Sequence, residues 1–179
     1  TFDVNGNGMP DLDIDINGDN IPDVSSEFLL TLGNNAVAIG SASQAVGDNA
    51  VAMGFQNLVR SGGIAIGSFN ETGSGFAIGS DNTALGGRST AIGDGNTASG
   101  FRSSAFGDRN TANGDFSAAI GSLTRANGQN SVALGSWIDK NADGFSDADE
   151  IALAGGSFST AVGPAARALG DFSTVVGAD

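Results

Sequence analysis

A short apolar motif recurs along this chain at a nearly constant spacing. Each copy is a run of small or apolar residues, usually centred on alanine, that ends on a glycine. The ten closing glycines are Gly40, Gly54, Gly67, Gly79, Gly93, Gly107, Gly121, Gly135, Gly163 and Gly177. Successive glycines are 14, 13, 12, 14, 14, 14, 14, 28 and 14 residues apart. A fixed short period is typical of a solenoid, in which each coil buries its apolar face only against its neighbours.

Each period divides into two short extended segments. In the period 121–135, glycine stands at the start, the middle and the end, and turn-forming residues bound the segments 123–127 and 131–134. This density of glycine disfavours a helix. Parallel stacking of equivalent segments, roughly 4.8 Å apart, predicts an all-β fold, a parallel β-roll or β-helix of about ten 14-residue coils.

The segment before each closing glycine carries no charge and predicts two different faces. Its middle column is alanine in nine periods and valine in the last. The column directly before the glycine is Ile39, Met53, Ile66, Ile78, Ile92, Phe106, Ile120, Leu134, Val162 and Val176. Neighbouring residues in a strand point to opposite faces. We therefore expect the alanines to line a narrow interior and the larger residues to lie outside the roll.

The large outer column requires a cover. Burial contributes about 25 cal/mol per Å² of apolar surface, whereas each ordered residue costs about 1–2 kcal/mol of conformational entropy. A 14-residue coil has few apolar side chains to bury, so association of several chains through the isoleucine-rich face would supply the missing stabilisation. A silk-like or monomeric two-sheet solenoid is the alternative.

Composition narrows the possible functions. The chain has no cysteine and no histidine, which excludes disulfides, thiol chemistry, a Cys/His zinc site and a Ser-His-Asp triad. Solenoids present long surfaces rather than catalytic cavities, so we expect no enzyme activity. No run of about 18 apolar residues is present, so we expect no direct membrane insertion by this chain. No basic stripe is present to neutralise phosphates, so we expect no nucleic-acid partner.

The negative charge is concentrated in two stretches. Residues 1–27 and 139–150 hold twelve of the twenty acidic residues and a single base, Lys140. The rest of the chain has eight acids and six arginines and is nearly neutral. Two acidic stretches on a nearly neutral scaffold indicate cation sites rather than a generally acidic surface.

The stretch 139–150 follows the template of a calcium-binding loop. Calcium takes six to eight oxygen ligands, which such a loop supplies from positions 1, 3, 5, 7, 9 and 12, with glycine at position 6 for the sharp turn. The glycine is Gly144. The candidate ligands are Asp139, Asn141, Asp143, the Phe145 carbonyl, Asp147 and a bidentate Glu150. The spacing predicts a Ca²⁺ site that resembles an EF-hand loop without flanking helices; the alternative is a solvated acidic loop.

The N-terminus repeats a related unit at a spacing of 12 residues. The candidate calcium ligands are Asp3, Asn5, Asn7, Met9, Asp11 and Asp13 in the first unit, and Asp15, Asn17, Asp19, Ile21 and Asp23 in the second. Position 12 of the two units is Ile14 or Ser26 rather than glutamate, so Asp13 or a shared aspartate would have to substitute. The units resemble the tandem calcium loops of thrombospondin type 3 repeats. The alternative is a disordered Asn-Gly-rich tail.

The repeats themselves resemble a known family. Residues 35–41 (NAVAIGS) and 130–136 (NSVALGS) are nearly verbatim copies of the head motif of YadA-like heads in trimeric autotransporter adhesins. The similarity covers about residues 33–179. It implies a left-handed parallel β-roll, a homotrimer joined through its inner strands, and a head that binds extracellular matrix or other surfaces. It also implies a place on the bacterial cell surface, with outer-membrane anchoring through a part of the protein not present here.

The chain differs from a complete member of that family. It lacks the neck motif, the coiled-coil stalk and the membrane anchor, and it opens with no leader peptide, so we expect a head fragment whose signal peptide lies upstream or has been removed. We predict two regions, an acidic calcium-loop arm at 1–26 and a roll at 27–179 with a calcium-loop insert at 139–152.

Two other functions share this architecture. A solenoid that binds a polysaccharide or ice would need a flat threonine ladder, and a short one is present at Thr83, Thr97 and Thr111. A phage tail fibre or another structural trimer is also compatible. A candidate contact column, five residues before the closing glycines, consists of Arg88, Arg102, Phe116, Asn130, Phe158 and Phe172. This column could bind a protein ligand, or it could be solvated or rim a contact between subunits.

Overall fold

The computed structural model describes residues 30–31 and 33–177. These residues form twenty short β-strands and no helix. The candidate ligands of the two N-terminal calcium units lie outside the described residues, and so does the rest of the arm predicted at 1–26.

The strands alternate along the chain between two ten-stranded sheets. The odd-numbered strands form the short-strand sheet: β1 Leu30–Thr31, β3 Gln44–Ala45, β5 Leu58–Val59, β7 Glu71–Thr72, β9 Thr83–Ala84, β11 Thr97–Ala98, β13 Thr111–Ala112, β15 Arg125–Ala126, β17 Leu153–Ala154 and β19 Arg167–Ala168. The even-numbered strands form the long-strand sheet: β2 Val37–Ile39, β4 Val51–Phe55, β6 Ile64–Ser68, β8 Phe76–Ser80, β10 Thr90–Asp94, β12 Ser104–Asp108, β14 Ala118–Ser122, β16 Val132–Gly135, β18 Thr160–Val162 and β20 Thr174–Val176.

Every strand pairs in parallel with the equivalent strands of the coils before and after it. Between β10 and β12, for example, Ile92 aligns with Phe106 and Gly93 with Gly107. Residues one sequence period apart are therefore the ones that pair between neighbouring strands. The predicted all-β parallel solenoid of about ten coils is confirmed.

The two shortened periods keep both sheets in register. Met53 aligns with Ile66, and Ile66 aligns with Ile78, although their spacings are 13 and 12 residues. The missing residues fall in the turns between Val59 and Ile64 and between Thr72 and Phe76. Because these turns lie at the surface, shortening them leaves the strand pairing intact.

The interior of the roll is narrow and lined mainly by alanine. Ala91 of the long-strand sheet and Ala98 of the short-strand sheet are both fully buried, and equivalent alanines continue through the neighbouring coils. Interiors pack at near-crystalline density, so two sheets this close leave no room for a larger side chain at these positions.

A column of buried asparagines runs beside the alanines. It comprises Asn57, Asn70, Asn82, Asn96 and Asn110. The Asn96 side-chain amide donates to the Ile92 carbonyl at 3.1 Å and to the Gly107 carbonyl of the next coil at 2.7 Å. These side chains satisfy carbonyls at the bend between the two sheets, where strand pairing alone would leave polar groups buried without partners.

The backbone conformation at the closing position of each coil requires glycine. Gly93 has a φ of 123°, and a Cβ there would overlap the carbonyl oxygen of Gly107 in the next coil. Only glycine adopts such a φ without strain and permits this approach of one backbone to the next.

Each long strand lies between two turns. We call the turn before the strand the leading edge, formed by the residues six and five positions before the closing glycine. We call the end of the strand and the start of the turn after it the trailing edge, formed by the residues one and two positions after that glycine. In the coil that closes at Gly107, these are Phe101 and Arg102, and then Asp108 and Arg109. The acidic insert enlarges the trailing edge between β16 and β17.

Candidate functional site

The outward face of the long-strand sheet is an uncharged and largely apolar surface, interrupted by hydroxyl side chains at Thr90, Ser104, Thr160 and Thr174. The residues one and three positions before each closing glycine point away from the interior, as predicted for the isoleucine-rich column. Ile39 is 53% exposed, Leu134 is 44% exposed and Ile120 is 37% exposed, in contrast to the fully buried Ala91. No charged side chain stands at these positions in any described coil. A single chain therefore leaves an apolar strip of ten strands uncovered.

The outward face of the short-strand sheet is mainly polar. Thr83, Thr97 and Thr111 align in register, as the sequence predicts for a threonine ladder. The ladder has only three rungs, because Glu71 aligns with Thr83 and Arg125 with Thr111. Beside it, the Ser99 hydroxyl donates to the Asn113 side-chain oxygen at 2.7 Å.

The predicted contact column lies on the leading edge and carries exposed aromatic pairs. The rings of Phe101 and Phe116 meet edge to face at 5.5 Å between centroids. The Arg102 guanidinium carbon lies 5.3 Å from the first ring centroid and 5.8 Å from the second, within the range of a cation–π contact. Farther along, Phe158 and Phe172 are stacked at 5.1 Å.

The backbone of this column is left-handed, which sequence reasoning did not predict. The φ angles are 60° at Arg88, 54° at Arg102, 56° at Phe116 and 56° at Phe172. Bulky residues are uncommon in this region, whereas asparagine adopts it readily. The available signal was asparagine at the equivalent positions, which are Asn35, Asn49 and Asn130.

In the acidic insert, the side chains of the first loop positions turn inward onto the loop's own backbone. The Asp139 carboxylate accepts hydrogen bonds from the Asp143 N–H at 3.2 Å and the Gly144 N–H at 2.9 Å. The Asn141 side-chain oxygen accepts from the Asp143 N–H at 3.1 Å, and Asp143 accepts from the Phe145 N–H at 2.8 Å. The amide of Asn141 also donates to the Asp147 carboxylate at 3.2 Å. These hydrogen bonds hold the candidate ligands together in a compact loop.

Glu150 closes this loop from the inside. Its side chain is 1% exposed, although every residue from Asp139 to Asp149 is exposed. One carboxylate oxygen accepts from the Lys140 N–H at 2.7 Å and the other from the Asp147 N–H at 2.9 Å. The Ile138 N–H donates to the Glu150 carbonyl at 2.9 Å, which joins the two ends of the loop.

The structure brings the predicted loop ligands into one network without forming a metal cage. In the described part of the chain, no group of three or more acidic side chains is arranged to hold a metal ion as it stands. Calcium coordination by Asp139, Asn141, Asp143, Phe145, Asp147 and Glu150 stays a prediction.

The insert contacts the short-strand sheet. Arg167 projects from that sheet, and its guanidinium donates to the Ala148 carbonyl of the loop. Leu134, in the long strand before the insert, is still 44% exposed.

Comparison with known proteins agrees with this architecture. The chain matches the YadA head domain repeat over residues 32–57, 74–96, 98–124, 117–136 and 154–179, which together are more than half of its length. The insert is among the unmatched segments. No curated protein matches the chain. The structure has no helix, within the residues it describes, that is long and apolar enough to cross a membrane. With its closing glycines, alanine interior and parallel coils, the chain belongs to the YadA head domain repeat family.

Proposed function

We propose that this chain is the head segment of a trimeric surface adhesin. The observation that carries the proposal is the uncharged, exposed strip along the long-strand sheet. A soluble monomer rarely exposes such a large contiguous apolar surface, and a strip of this kind marks an interface. YadA head domains belong to surface-exposed trimeric adhesins, so three copies are the expected assembly.

In this assembly the long-strand sheets of three chains face a common axis. Ile92 and Ile120 of each chain then lie in a shared apolar core, and the roll gains the burial that its alanine interior does not provide. The threonine ladder and the acidic insert remain on the outside, because both lie on or against the opposite sheet.

The proposed activity is adhesion through the outer surface of this rod. The polar short-strand sheet and the turns would contact extracellular matrix or another surface, and the head would stand on the bacterial cell surface, attached to the outer membrane by another part of the protein. We propose no catalytic role.

We also propose that the insert binds one Ca²⁺. The support is the ligand spacing together with the compact network that already holds Asp139, Asn141 and Glu150 around one loop. Binding would turn the carboxylates from backbone N–H groups toward the ion and would stiffen the loop. Sites of this kind in extracellular modules are weak, with a Kd of about 10⁻⁴–10⁻³ M. The N-terminal units from Asp3 to Asp23 are proposed as further calcium loops on their sequence alone.

Sedimentation equilibrium of the full chain tests the assembly, and binding of the same material to matrix-coated surfaces tests adhesion. A trimer that adheres in millimolar calcium is the expected result. A monomer at high micromolar concentration would contradict the trimer, and a trimer that binds no tested surface would contradict the adhesin.

A second candidate function rests on the threonine ladder of β9, β11 and β13. Three threonines in register form a flat array that could match a crystalline or polymeric surface such as ice or a polysaccharide. Substitution of Thr97 by lysine would abolish binding of this kind and would leave the trimer intact.

A further inference from the structure

The charged residues of the coils are placed around the apolar strip and not on it. On the leading edge, the charged residues of three consecutive coils are Arg88, Arg102 and Asp115. On the trailing edge of the same part of the roll, they are Asp81, Asp94, Asp108 and Arg109. The strip is therefore flanked on both sides by charges, and each side has its own order of signs.

Cyclic symmetry determines which charges could meet between chains. A rotation about an axis parallel to the roll leaves the height of every residue unchanged, so coil n of one chain stands beside coil n of the next. The contact between two chains is also heterologous: in a threefold ring, one surface patch of each subunit meets a different patch of its neighbour. With the long-strand sheets turned inward, the leading edge of one chain therefore faces the trailing edge of its neighbour at the same height.

Two consecutive coils carry opposite charges on their two edges. In the coil that closes at Gly93, Arg88 lies on the leading edge and Asp94 on the trailing edge; in the next coil the corresponding residues are Arg102 and Asp108. Arg109 directly follows Asp108 in that coil, and the two side chains lie 3.9 Å apart within one chain. The following coil carries Asp115 on its leading edge but only uncharged residues, Ser122 and Leu123, on its trailing edge.

Arg88 and Asp94 form no ion pair within the described part of their own chain. Both side chains are exposed. They lie at opposite ends of β10, six residues apart, which is on the order of 20 Å in an extended strand. Screening at physiological salt acts over about 8 Å, so the two charges barely interact within one chain.

We propose that Arg88 of each chain forms an ion pair with Asp94 of the next. The inference rests on the proposed trimer, and it adds the two edges of the long-strand sheet as a second, electrostatic contact between copies of this chain. The apolar strip supplies most of the association energy, and the edge pair adds an electrostatic contribution.

A double-mutant cycle on the full chain tests this pair by sedimentation equilibrium at low salt. Arg88→Asp places two carboxylates together, and Asp94→Arg places two guanidinium groups together. Each variant should raise the concentration at which half of the chains are trimeric by about tenfold, since three exposed contacts are lost per trimer. The combined variant restores opposite charges and should return that concentration to within about twofold of the wild type.

Arg125→Glu is the matched control. Arg125 is an exposed arginine on the outward face of the short-strand sheet, so reversal of its charge should leave the trimer unchanged.

The outcomes separate this inference from the proposed function. A trimeric wild type in which the effects of Arg88→Asp and Asp94→Arg simply add would overturn the edge pair and leave the trimer standing. A monomeric wild type would overturn both. Equal weakening by Arg125→Glu would also overturn the pair, because it would show a response to net charge rather than to position.

Discussion

The side-chain oxygen of Asn96 accepts two hydrogen bonds from Asn110 in the next coil, one from its backbone N–H and one from its side-chain amide, each at 3.0 Å. The same contact repeats in the neighbouring coils, so Asn96 in turn donates two hydrogen bonds to the side-chain oxygen of Asn82, one from its backbone N–H and one from its side-chain amide. The column connects the coils through their interior, independently of the strand pairing at the surface.

Asn96→Ala should destabilise the roll strongly. The substitution leaves the Asn110 N–H and the Gly107 carbonyl buried with one partner fewer, which we expect to lower the free energy of unfolding by about 3 kcal/mol. Urea denaturation at a fixed protein concentration measures the change. Asn113→Ala is the control, because Asn113 is exposed and should lose less than about 0.5 kcal/mol. Equal losses at the two positions would refute a stabilising column.

Ile92→Asp should dissociate the trimer. The carboxylate would be buried in an apolar interface without a partner, at a cost of several kcal/mol in each chain. Ile120→Asp, two strands away in the same sheet, should act in the same way. Thr97→Asp places the same charge on the opposite face and should leave the mass in solution unchanged. Trimers of Ile92→Asp as stable as the wild type would show that the strip is not the interface.

Deletion of residues 138–151 should leave a folded roll. Arg125 aligns with Leu153 across the insert, so fourteen residues can be removed without a change of register, and surface insertions cost little to remove. Ala152 must be retained, because it is fully buried in the interior. Circular dichroism and thermal unfolding should match those of the wild type. Loss of the β-signal would mean that the insert supports the folding of strands β15 to β18.

Glu150→Gln should weaken calcium binding at the insert by at least tenfold. The substitution removes the charge of the only bidentate ligand in the proposed site. Isothermal titration calorimetry at millimolar calcium measures the effect, in a chain that begins after residue 26 so that the N-terminal units do not contribute. Asp149→Asn is the control, since Asp149 is exposed, adjacent and not a proposed ligand. An absence of calcium binding in the parent chain would remove the metal from the proposed function.

The fold could be predicted from the sequence because one physical constraint repeats in every coil. The alanine at Ala91 and the glycine at Gly93 are required by close approach, and their period is the register of the sheets. The outward orientation of Ile92 follows from the alternation of side chains along a strand. The buried alanine, the closing glycine and the outward isoleucine all follow from backbone geometry, so the pattern of residue types is enough to predict them.

The details of the candidate sites could not be predicted in the same way. Phenylalanine at position 116 gives no sign of a left-handed backbone, which only the asparagines at the equivalent positions 35, 49 and 130 indicate. The burial of Glu150 depends on how its carboxylate meets the backbone of Lys140 and Asp147, which ligand spacing does not determine. The asparagine column was present in the sequence as a residue type recurring three positions after the closing glycine, a signal that was visible but not interpreted.

The direction of the hydrogen bonds between coils has a mechanical consequence. These bonds run along the length of the roll, so a pull on its two ends loads every coil boundary in series, and the weakest boundary opens first. A coil that detaches releases 14 residues, which lengthen the chain by about 40 Å when extended. A head of this design would yield to force in steps, one coil at a time, and would absorb work while the remaining coils keep their shape.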